Sequence, residues 1–285
     1  MISEFLKGLR VLDLSQFLPG PFATQLLADM GADVLKVEPP RGDPMRELNP
    51  VSNARVAAPF HAAVNAGKRV VSIDLKSEPG KSAFDELVVA ADVLLESYRP
   101  GVIERLGFGN KRLRELNPGL IHCALSGYGQ TGPLRLRAGH DINYVAMTGS
   151  LNVTGTAERP VMAFPPIADY GGALQAATAI LGALIGRERD GGGAYLDVAV
   201  ADSVLSWQAY GLTQVALAAV GQGTKPMRGD DLLNGGAACY QVYATADGGF
   251  ISLGAIEEYF GVTSAKRSAV STGLPGKRRR CHKRS

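Results

Sequence analysis

His140 and Asp169, about thirty positions apart, are the residues of this 285-residue chain best suited to chemistry. A neutral histidine and an ionised aspartate on opposite faces of one carbon could remove a proton from one side and return one to the other, which is two-base catalysis. Gly171, Gly172 and an Ala- and Leu-rich run through Ile185 follow Asp169 and predict a buried helix. The carboxylate is expected at the N-terminus of that helix, where the helix dipole favours its ionised form and the glycines let a ligand approach the backbone.

Both residues also have a purely structural interpretation. Aspartate is a preferred N-cap residue that satisfies a backbone N–H at the start of a helix. A His-Asp pair at the end of a loop is compatible with ordinary turn chemistry. The residue types alone therefore leave the structural and the catalytic interpretations open.

Alternating strands and helices predict the framework that must position this pair. Leu9–Leu14 is a predicted strand, Pro21–Met30 a helix with proline at its first position, and Val34–Val37 a second strand, which together form a βαβ unit. Further strands are predicted at Val70–Asp74, Val93–Glu96 and Leu120–Leu125. The expected fold class is α/β, a Rossmann-like parallel sheet with helices on both faces.

The sequence argues against a dinucleotide cofactor in this sheet. Glu38 lies where a ribose-binding acid would stand, but the first turn reads SQFLPGP and lacks the G-x-G-x-x-G pattern. That pattern occurs later, at Gly127, Gly129 and Gly132, where Pro133 and a polar run leave no helix to bind a pyrophosphate. We interpret it as a glycine-rich loop whose backbone could approach a ligand of another kind.

Four segments are predicted along the chain. Residues 1–220 form a large Rossmann-like domain, residues 221–233 a Gly-rich and charged linker, and residues 234–260 the start of a smaller α+β domain. In the last of these, strands at Tyr240–Ala244 and Phe250–Gly254 are joined by an Asp-Gly turn. Residues 261–285 are expected to be an unstructured or aberrant tail.

Charge, cysteine usage and hydropathy limit the kinds of partner, metal site and cellular compartment that are expected for this chain. The net charge of +3 arises from eight Lys and Arg residues after Glu258, and the preceding chain is net acidic, so no nucleic-acid partner is expected. The three cysteines lack metal-ligand spacing, which indicates a reducing compartment and no metal site. There is no signal-peptide h-region and no apolar run long enough to cross a membrane, so a cytoplasmic location is expected.

The stretch AGHDINYVAMTG at 138–149 and the stretch IADYGGA at 167–173 resemble the active-site region of the class III (family III) CoA-transferase family, and most closely its alpha-methylacyl-CoA racemases. The transferase members lack this histidine. Further similarity runs from residue 8 to about residue 258, so the resemblance implies the family fold.

The resemblance also implies a CoA site at successive strand ends. Ile73 and Lys76 would lie near the adenine and the 3′-phosphate, and Ser97, Tyr98 and Arg105 near the pantetheine and diphosphate. Further CoA contacts are expected from Arg41 and Arg46 after the second strand, and from Gly127 and Tyr128 in the glycine-rich loop. Glu257 matches an additional active-site acid of the racemases, although Glu258 replaces the proline that follows it there.

Two activities are compatible with this resemblance. A racemase would invert 2-methylacyl-CoA thioesters through an enolate, with His140 and Asp169 as the two bases and backbone N–H groups from Asp169 to Gly172 as donors to the enolate oxygen. A CoA-transferase would instead use Asp169 as a nucleophile, forming a mixed anhydride and then an aspartyl-CoA thioester. Both use CoA as part of the substrate, without a redox or metal cofactor.

A third hypothesis is an inactive, CoA-binding fragment. Family members are longer and form interlocked homodimers, which are expected here only if the chain is complete enough to close its ring. The basic tail replaces the family's C-terminal part, and a truncation or a shifted reading frame near Phe260 would account for it.

Overall fold

The structure, a computed structural model, describes residues 4–47 and 58–257. These residues form two compact units. The first contains residues 4–47, 58–145 and 165–206, and the second contains residues 146–164 and 207–257. The candidate residues His140 and Asp169 both belong to the first unit.

A six-stranded parallel sheet in the order β3-β2-β1-β4-β5-β6 forms the centre of the first unit. The strands are β1 (Arg10–Asp13), β2 (Asp33–Glu38), β3 (Arg69–Ser72), β4 (Val93–Glu96), β5 (Ile121–Ser126) and β6 (Ala194–Ala199). The α/β class and the parallel sheet are therefore confirmed. The order reverses direction between β1 and β4, and the carboxyl ends of all six strands lie along one edge, where ligands bind in open parallel sheets.

Helices cover both faces of this sheet. In chain order, those of the first unit are α1 (Pro19–Asp29), α2 (Pro59–Val64), α3 (Glu78–Ala90), α4 (Val102–Arg105), α5 (Asn110–Leu116), α6 (Asp141–Met147, whose last two residues belong to the second unit), α8 (Ile167–Asp190) and α9 (Val200–Ser206). Leu94 of β4 packs with Phe84 and Val88 of α3, whereas the next residue, Leu95, approaches α1 at Gly20. Strand β4 is buried along its whole length because both of its faces are covered.

Helix α8, which carries Asp169, is 24 residues long and is fixed near its C-terminus as well as at its start. Arg187 in its last turn donates to the Asp92 carboxylate at 2.9 Å and to the carbonyl oxygen of Gly119 at 3.2 Å. The helix ends at Gly191, whose φ of +72° is a left-handed conformation that glycine adopts readily.

The second unit contains α7 (Ser150–Val153), α10 (Ala209–Ala219) and an antiparallel hairpin of β7 (Tyr240–Ala244) and β8 (Phe250–Gly254). The Arg228 guanidinium joins its two chain segments by donating to the Asn152 carbonyl oxygen at 2.7 Å. The division after residue 206 differs from the predicted domain boundary at residue 220, because α10 and residues 146–164 group with the hairpin. The predicted tail at 261–285 lies outside the described residues.

The strand predictions in the first unit agree with the structure to within two residues at each end. Four short helices, α2, α5, α6 and α7, were not predicted, since four to seven residues are too few to show helical periodicity. No helix in the described ranges is long and apolar enough to span a bilayer.

Candidate functional site

Asp169 is the third residue of α8 and lies in its first turn, with a half-buried side chain. Burial, and secondarily the charge of Asp141, raises its pKa from 3.8 to about 6, while His140 opposes the rise. The predicted effect of the helix dipole, which favours the anion, is outweighed by these two effects. The carboxyl group therefore titrates close to neutrality, where a general acid or base is most effective.

Asp141, and not Asp169, supplies the cap of this helix. Its Oδ1 accepts the backbone N–H of Ala168 at 2.6 Å and that of Asp169 at 3.2 Å. Pro166, at the N-cap position, has no side chain that could do so. The N-cap interpretation of Asp169 is therefore wrong, and no described residue donates a hydrogen bond to the Asp169 carboxylate.

His140 stands immediately before α6. Its backbone N–H donates to the side-chain oxygen of Asn143 at 3.0 Å, and its carbonyl oxygen accepts the Asn143 N–H at 2.8 Å. The first bond is half of a capping box and the second is a backbone turn bond, and together they fix the backbone of His140. His140 is exposed, and because the next residue, Asp141, accepts the Asp169 N–H at 3.2 Å, the backbone of His140 lies close to the first turn of α8.

Tyr144, which sequence reasoning did not single out, supports the loop that carries His140. Its hydroxyl donates to the Gly139 carbonyl oxygen at 2.8 Å, and its ring meets that of Tyr128 edge to face with centroids 5.1 Å apart. A methyl group at Gly127 would collide with the Tyr144 hydroxyl, and one at Gly139 would lie 2.7 Å from the ring. Gly127 is thus required by the packing of Tyr144, and approach of a ligand is not needed to explain it.

The backbone donors predicted for an enolate oxygen are already engaged at Asp169 and Tyr170. The Asp169 N–H bonds Asp141, and the Tyr170 N–H donates to the Pro166 carbonyl oxygen at 3.2 Å. The prediction that these two groups stabilise an enolate is therefore wrong, because the helix and its cap use them.

Gly172 allows α8 to pack closely on α9. A methyl group at this position would lie 2.8 Å from Cγ2 of Val200, closer than carbon atoms normally approach. The predicted role of Gly172, access of a ligand to the backbone, is not needed to explain the glycine.

We therefore expect Gly172→Ala to lower the free energy of unfolding by about 1–3 kcal/mol, the usual effect of overpacking a core. Gly182→Ala in the same helix is the matched control, since nothing lies within 4 Å of its added methyl group. There, alanine should raise stability by about 0.5–1 kcal/mol through its better helix propensity. Urea denaturation of both variants tests this, and equal changes in the two would contradict the packing argument.

The positions predicted to bind CoA follow the carboxyl ends of the strands. Ile73 directly follows β3, Ser97 and Tyr98 follow β4, and Gly127 and Tyr128 follow β5. Arg41 follows β2 and is exposed, as are Lys76 and, in α4, Arg105. The sheet thus brings these positions to one edge, and their contact with CoA stays a prediction.

Two of these positions have defined partners within the protein. The Ser97 hydroxyl accepts the backbone N–H of Gln16 at 3.0 Å, which joins the loops after β1 and β4. The Tyr98 N–H donates to the buried carboxylate of Glu96 at 2.6 Å, and burial raises the pKa of the Tyr98 hydroxyl to about 12.

A buried network of charged side chains underlies the same edge, and it was not predicted from the sequence. Lys68 Nζ lies 3.0 Å from Asp13 Oδ2, and Lys36 Nζ lies 3.2 Å from Asp43 Oδ2, with all four side chains inaccessible to solvent. Burial alone would raise the pKa of Asp13, but Lys36 and Lys68 outweigh it and hold this pKa well below its usual range.

Glu38 belongs to the same network. Arg46 donates to both of its carboxylate oxygens, at 2.8 and 2.9 Å, and His61 Nε2 lies 3.3 Å away. Burial opposes ionisation of Glu38, but Arg46 prevails and lowers its pKa. The carboxylate is thus engaged within the protein and is not free to bind a ribose. A contact between Arg46 and CoA, as predicted, would have to compete with the bidentate pair that Arg46 forms with Glu38.

Glu257 is exposed in the second unit, and its catalytic role stays a prediction. Among the described residues, no group of three or more His, Cys, Asp or Glu side chains is arranged to hold a metal ion.

Comparison with known proteins places these features in a family. A family model described as CoA-transferase family III matches residues 6–267. Alpha-methylacyl-CoA racemase of Homo sapiens is 38% identical over 261 residues, which cover 90% of this chain and 62% of that protein. Acetyl-CoA:oxalate CoA-transferase of Acetobacter aceti is 39% identical over 208 residues, which cover 72% of this chain and 53% of that protein.

A solved structure agrees with this comparison. The crystal structure of a CAIB/BAIF family protein from Brucella suis has a TM-score of 0.78 and 33% identity to this chain, covering 94% of this chain and 76% of that one. The chain spans between half and about three fifths of the length of the curated relatives it matches. With the parallel sheet, the matching sequence and the shared structure in agreement, the chain belongs to CoA-transferase family III.

Proposed function

We propose that this protein racemises 2-methylacyl-CoA thioesters by two-base transfer of the α-proton. The observation that carries the proposal is the half-buried carboxyl group of Asp169, whose pKa is raised to about 6 and whose backbone N–H bonds Asp141, the residue next to His140. Relatives named as racemases and relatives named as transferases match the chain about equally well, so similarity alone does not choose between the two activities.

In the proposed reaction the thioester carbonyl acidifies the α-proton, and one of the two residues removes it. The electron pair of the broken C–H bond passes into the carbonyl to form an enolate. The other residue then donates a proton to the opposite face of the α-carbon, which inverts its configuration. The raised pKa of Asp169 suits this cycle because the group must both accept and donate a proton.

CoA would bind at the carboxyl edge of the sheet. Arg41, Lys76 and Arg105 are exposed there, and no described ion pair engages them, so they are available for charge-assisted bonds to phosphate groups. Ile73, Ser97, Tyr98, Gly127 and Tyr128 would line the path between these charges and the proposed catalytic pair. Glu257 is proposed as an additional active-site acid.

A CoA-transferase is the second candidate. The observation that favours it is that no described residue donates a hydrogen bond to the Asp169 carboxylate, so its oxygens are available for attack on a thioester carbonyl. Transfer has no evident need of His140, and this difference separates the two activities. The third candidate is an inactive CoA-binding fragment.

A cytoplasmic location and assembly as an interlocked homodimer complete the proposal. The location rests on the sequence alone, and the dimer is supported by family membership. Size-exclusion chromatography of the full chain distinguishes a dimer from a monomer or an aggregate.

The test is to incubate one enantiomer of a 2-methylacyl-CoA with the enzyme in D2O and to follow inversion and loss of the α-hydrogen signal by NMR. We expect inversion with deuterium incorporation in the wild type and no inversion in His140→Ala or Asp169→Ala. Asp190→Asn, at the exposed far end of α8, is the matched control and should behave as the wild type. CoA transfer to a free acid that requires Asp169 but not His140 would establish the transferase, and neither activity would indicate the fragment.

A further inference from the structure

The N-terminus of α8, which carries Asp169, and the N-terminus of α6, which directly follows His140, meet at one side chain, that of Asp141. This residue directly follows His140 and is the first residue of α6. Its Oδ1 accepts both the Ala168 N–H, at 2.6 Å, and the Asp169 N–H, at 3.2 Å, in the first turn of α8. One carboxylate therefore links the starts of the two helices, Asp141 and Ile167, which are 26 positions apart in the chain.

We infer that Asp141 is a positioning residue, whose carboxylate fixes the first turn of α8 to the start of α6 and thereby sets the placement of Asp169 relative to His140. The inference rests on the proposed function of these two residues. It adds to that proposal a residue that need not touch the substrate.

The burial of this junction shows why the contact is needed. Ala168 is fully buried, so its N–H has no access to water if the acceptor is removed. The first N–H groups of a helix have no partner inside the helix, and Pro166 offers no side-chain acceptor. Replacing Asp141 with a residue that cannot accept these bonds should allow the first turn of α8, and Asp169 within it, to shift.

The charge of Asp141 has a separate effect from its hydrogen bonds. The titratable groups that act on Asp169 are Asp141 and His140, and the charge of Asp169 in turn helps to raise the pKa of the Tyr144 hydroxyl, for which burial is the larger cause. The anion of Asp141 makes ionisation of Asp169 less favourable. Asparagine keeps an oxygen that can accept the two N–H groups but removes the charge, whereas alanine removes both.

The test compares Asp141→Asn and Asp141→Ala with the wild type in the full chain, with Asp190→Asn as the charge control at the far end of α8. Two quantities are measured. One is the titration of Asp169, followed by carboxyl-carbon NMR of aspartate-labelled protein and assigned with Asp169→Asn. The other is kcat and KM for racemisation of a 2-methylacyl-CoA across pH.

For Asp141→Asn we expect Asp169 to titrate at lower pH, and the acidic limb of the kcat profile to move in the same direction with KM unchanged. For Asp141→Ala we expect kcat to fall by about 100-fold at every pH, the loss that follows a misplaced catalytic group. Recovery of most of that rate in Asp141→Asn would show that the hydrogen bonds, and not the charge, hold the position.

An unshifted Asp169 titration in Asp141→Asn, or wild-type kcat in Asp141→Ala, would overturn the inference. The titration requires no turnover, so it remains decisive if alanine prevents folding or if the wild type proves inactive. A shifted titration in a protein that racemises nothing would reject the proposed function and leave the coupling of Asp141 to Asp169 intact.

Discussion

Replacing Asp169 with asparagine is expected to remove almost all α-proton transfer while making the folded protein more stable at pH 7. Asparagine is nearly the same size and leaves the helix and the Asp141 cap in place, but it cannot accept the proton. Loss of a general acid or base lowers rates by about 10²- to 10⁴-fold, and we expect kcat for inversion to fall within that range. Inversion and exchange rates measured by NMR provide the check.

The gain in stability follows from the pKa of the same group. The Asp169 carboxyl titrates near 3.8 in the unfolded chain and near 6 in the folded protein, so the folded state binds its proton more tightly. That preference stabilises the protein fully below pH 3.8 and is lost as the pH rises through 6. Above pH 6 the ionised group opposes folding, by at most about 3 kcal/mol, since one pKa unit corresponds to about 1.4 kcal/mol.

Urea denaturation at pH 7.5 and at pH 4 tests whether ionised Asp169 destabilises the folded protein. Asp169→Asn should exceed the wild type in stability at the higher pH, and the advantage should shrink at the lower pH. Asp190→Asn should show neither change. A variant less stable than the wild type at pH 7.5 would contradict the argument, as would retention of full activity.

The second large effect, on the free energy of unfolding, is expected from replacing Lys68, which is buried below the carboxyl edge of the sheet. Lys68→Met removes the cation that contacts Asp13 at 3.0 Å, and also the donor to the Pro21 carbonyl oxygen at 2.7 Å and to Thr24 Oγ1 at 2.8 Å. Asp13 would keep its bonds to Ser15 and Thr24 and its attraction to Lys36, but lose its direct ion-pair partner. Breaking a buried pair in this way destabilises proteins by about 3–5 kcal/mol, and we expect a loss of that size in urea denaturation.

The neighbouring residue offers a matched control. Arg69 forms a bidentate pair with Asp33, but the two side chains are 68% and 49% exposed, and such surface pairs contribute about 0–1 kcal/mol. Arg69→Ala should therefore have a small effect. Similar losses in Lys68→Met and Arg69→Ala would show that burial of the Lys68 pair is unimportant.

The parallel sheet of the first unit was predictable because the sequence patterns that indicate its strands are local. The run Val93–Glu96 is apolar except at its end and is buried on both faces, as expected for a central parallel strand. His140 and Asp169 were identified from residue type and from resemblance, and their catalytic pairing stays a prediction. The fold class, by contrast, follows from short stretches of sequence.

The features that were missed depend on contacts between distant parts of the chain. No local pattern indicates that Asp141 caps a helix beginning at Ile167, or that Lys36 and Lys68 are buried among carboxylates. The glycines also illustrate what local sequence patterns do not show. Gly127 and Gly172 suggested backbone approach by a ligand, but the atoms that approach them belong to Tyr144 and Val200. A sequence shows that space is required at such a position, and only the fold shows what fills it.

Helix α8 is held at both ends, by Asp141 at its start and by Arg187 in its last turn. At about 1.5 Å per residue, the 18 residues from Asp169 to Arg187 span about 27 Å of rigid helix. Because such a helix moves as a rigid body, a sideways displacement at the Arg187 end also displaces the Asp169 end. The position of the Asp169 carboxylate in the proposed active site therefore depends in part on the Arg187–Asp92 ion pair at the opposite, amino edge of the sheet, where substitutions would otherwise be regarded as remote from function.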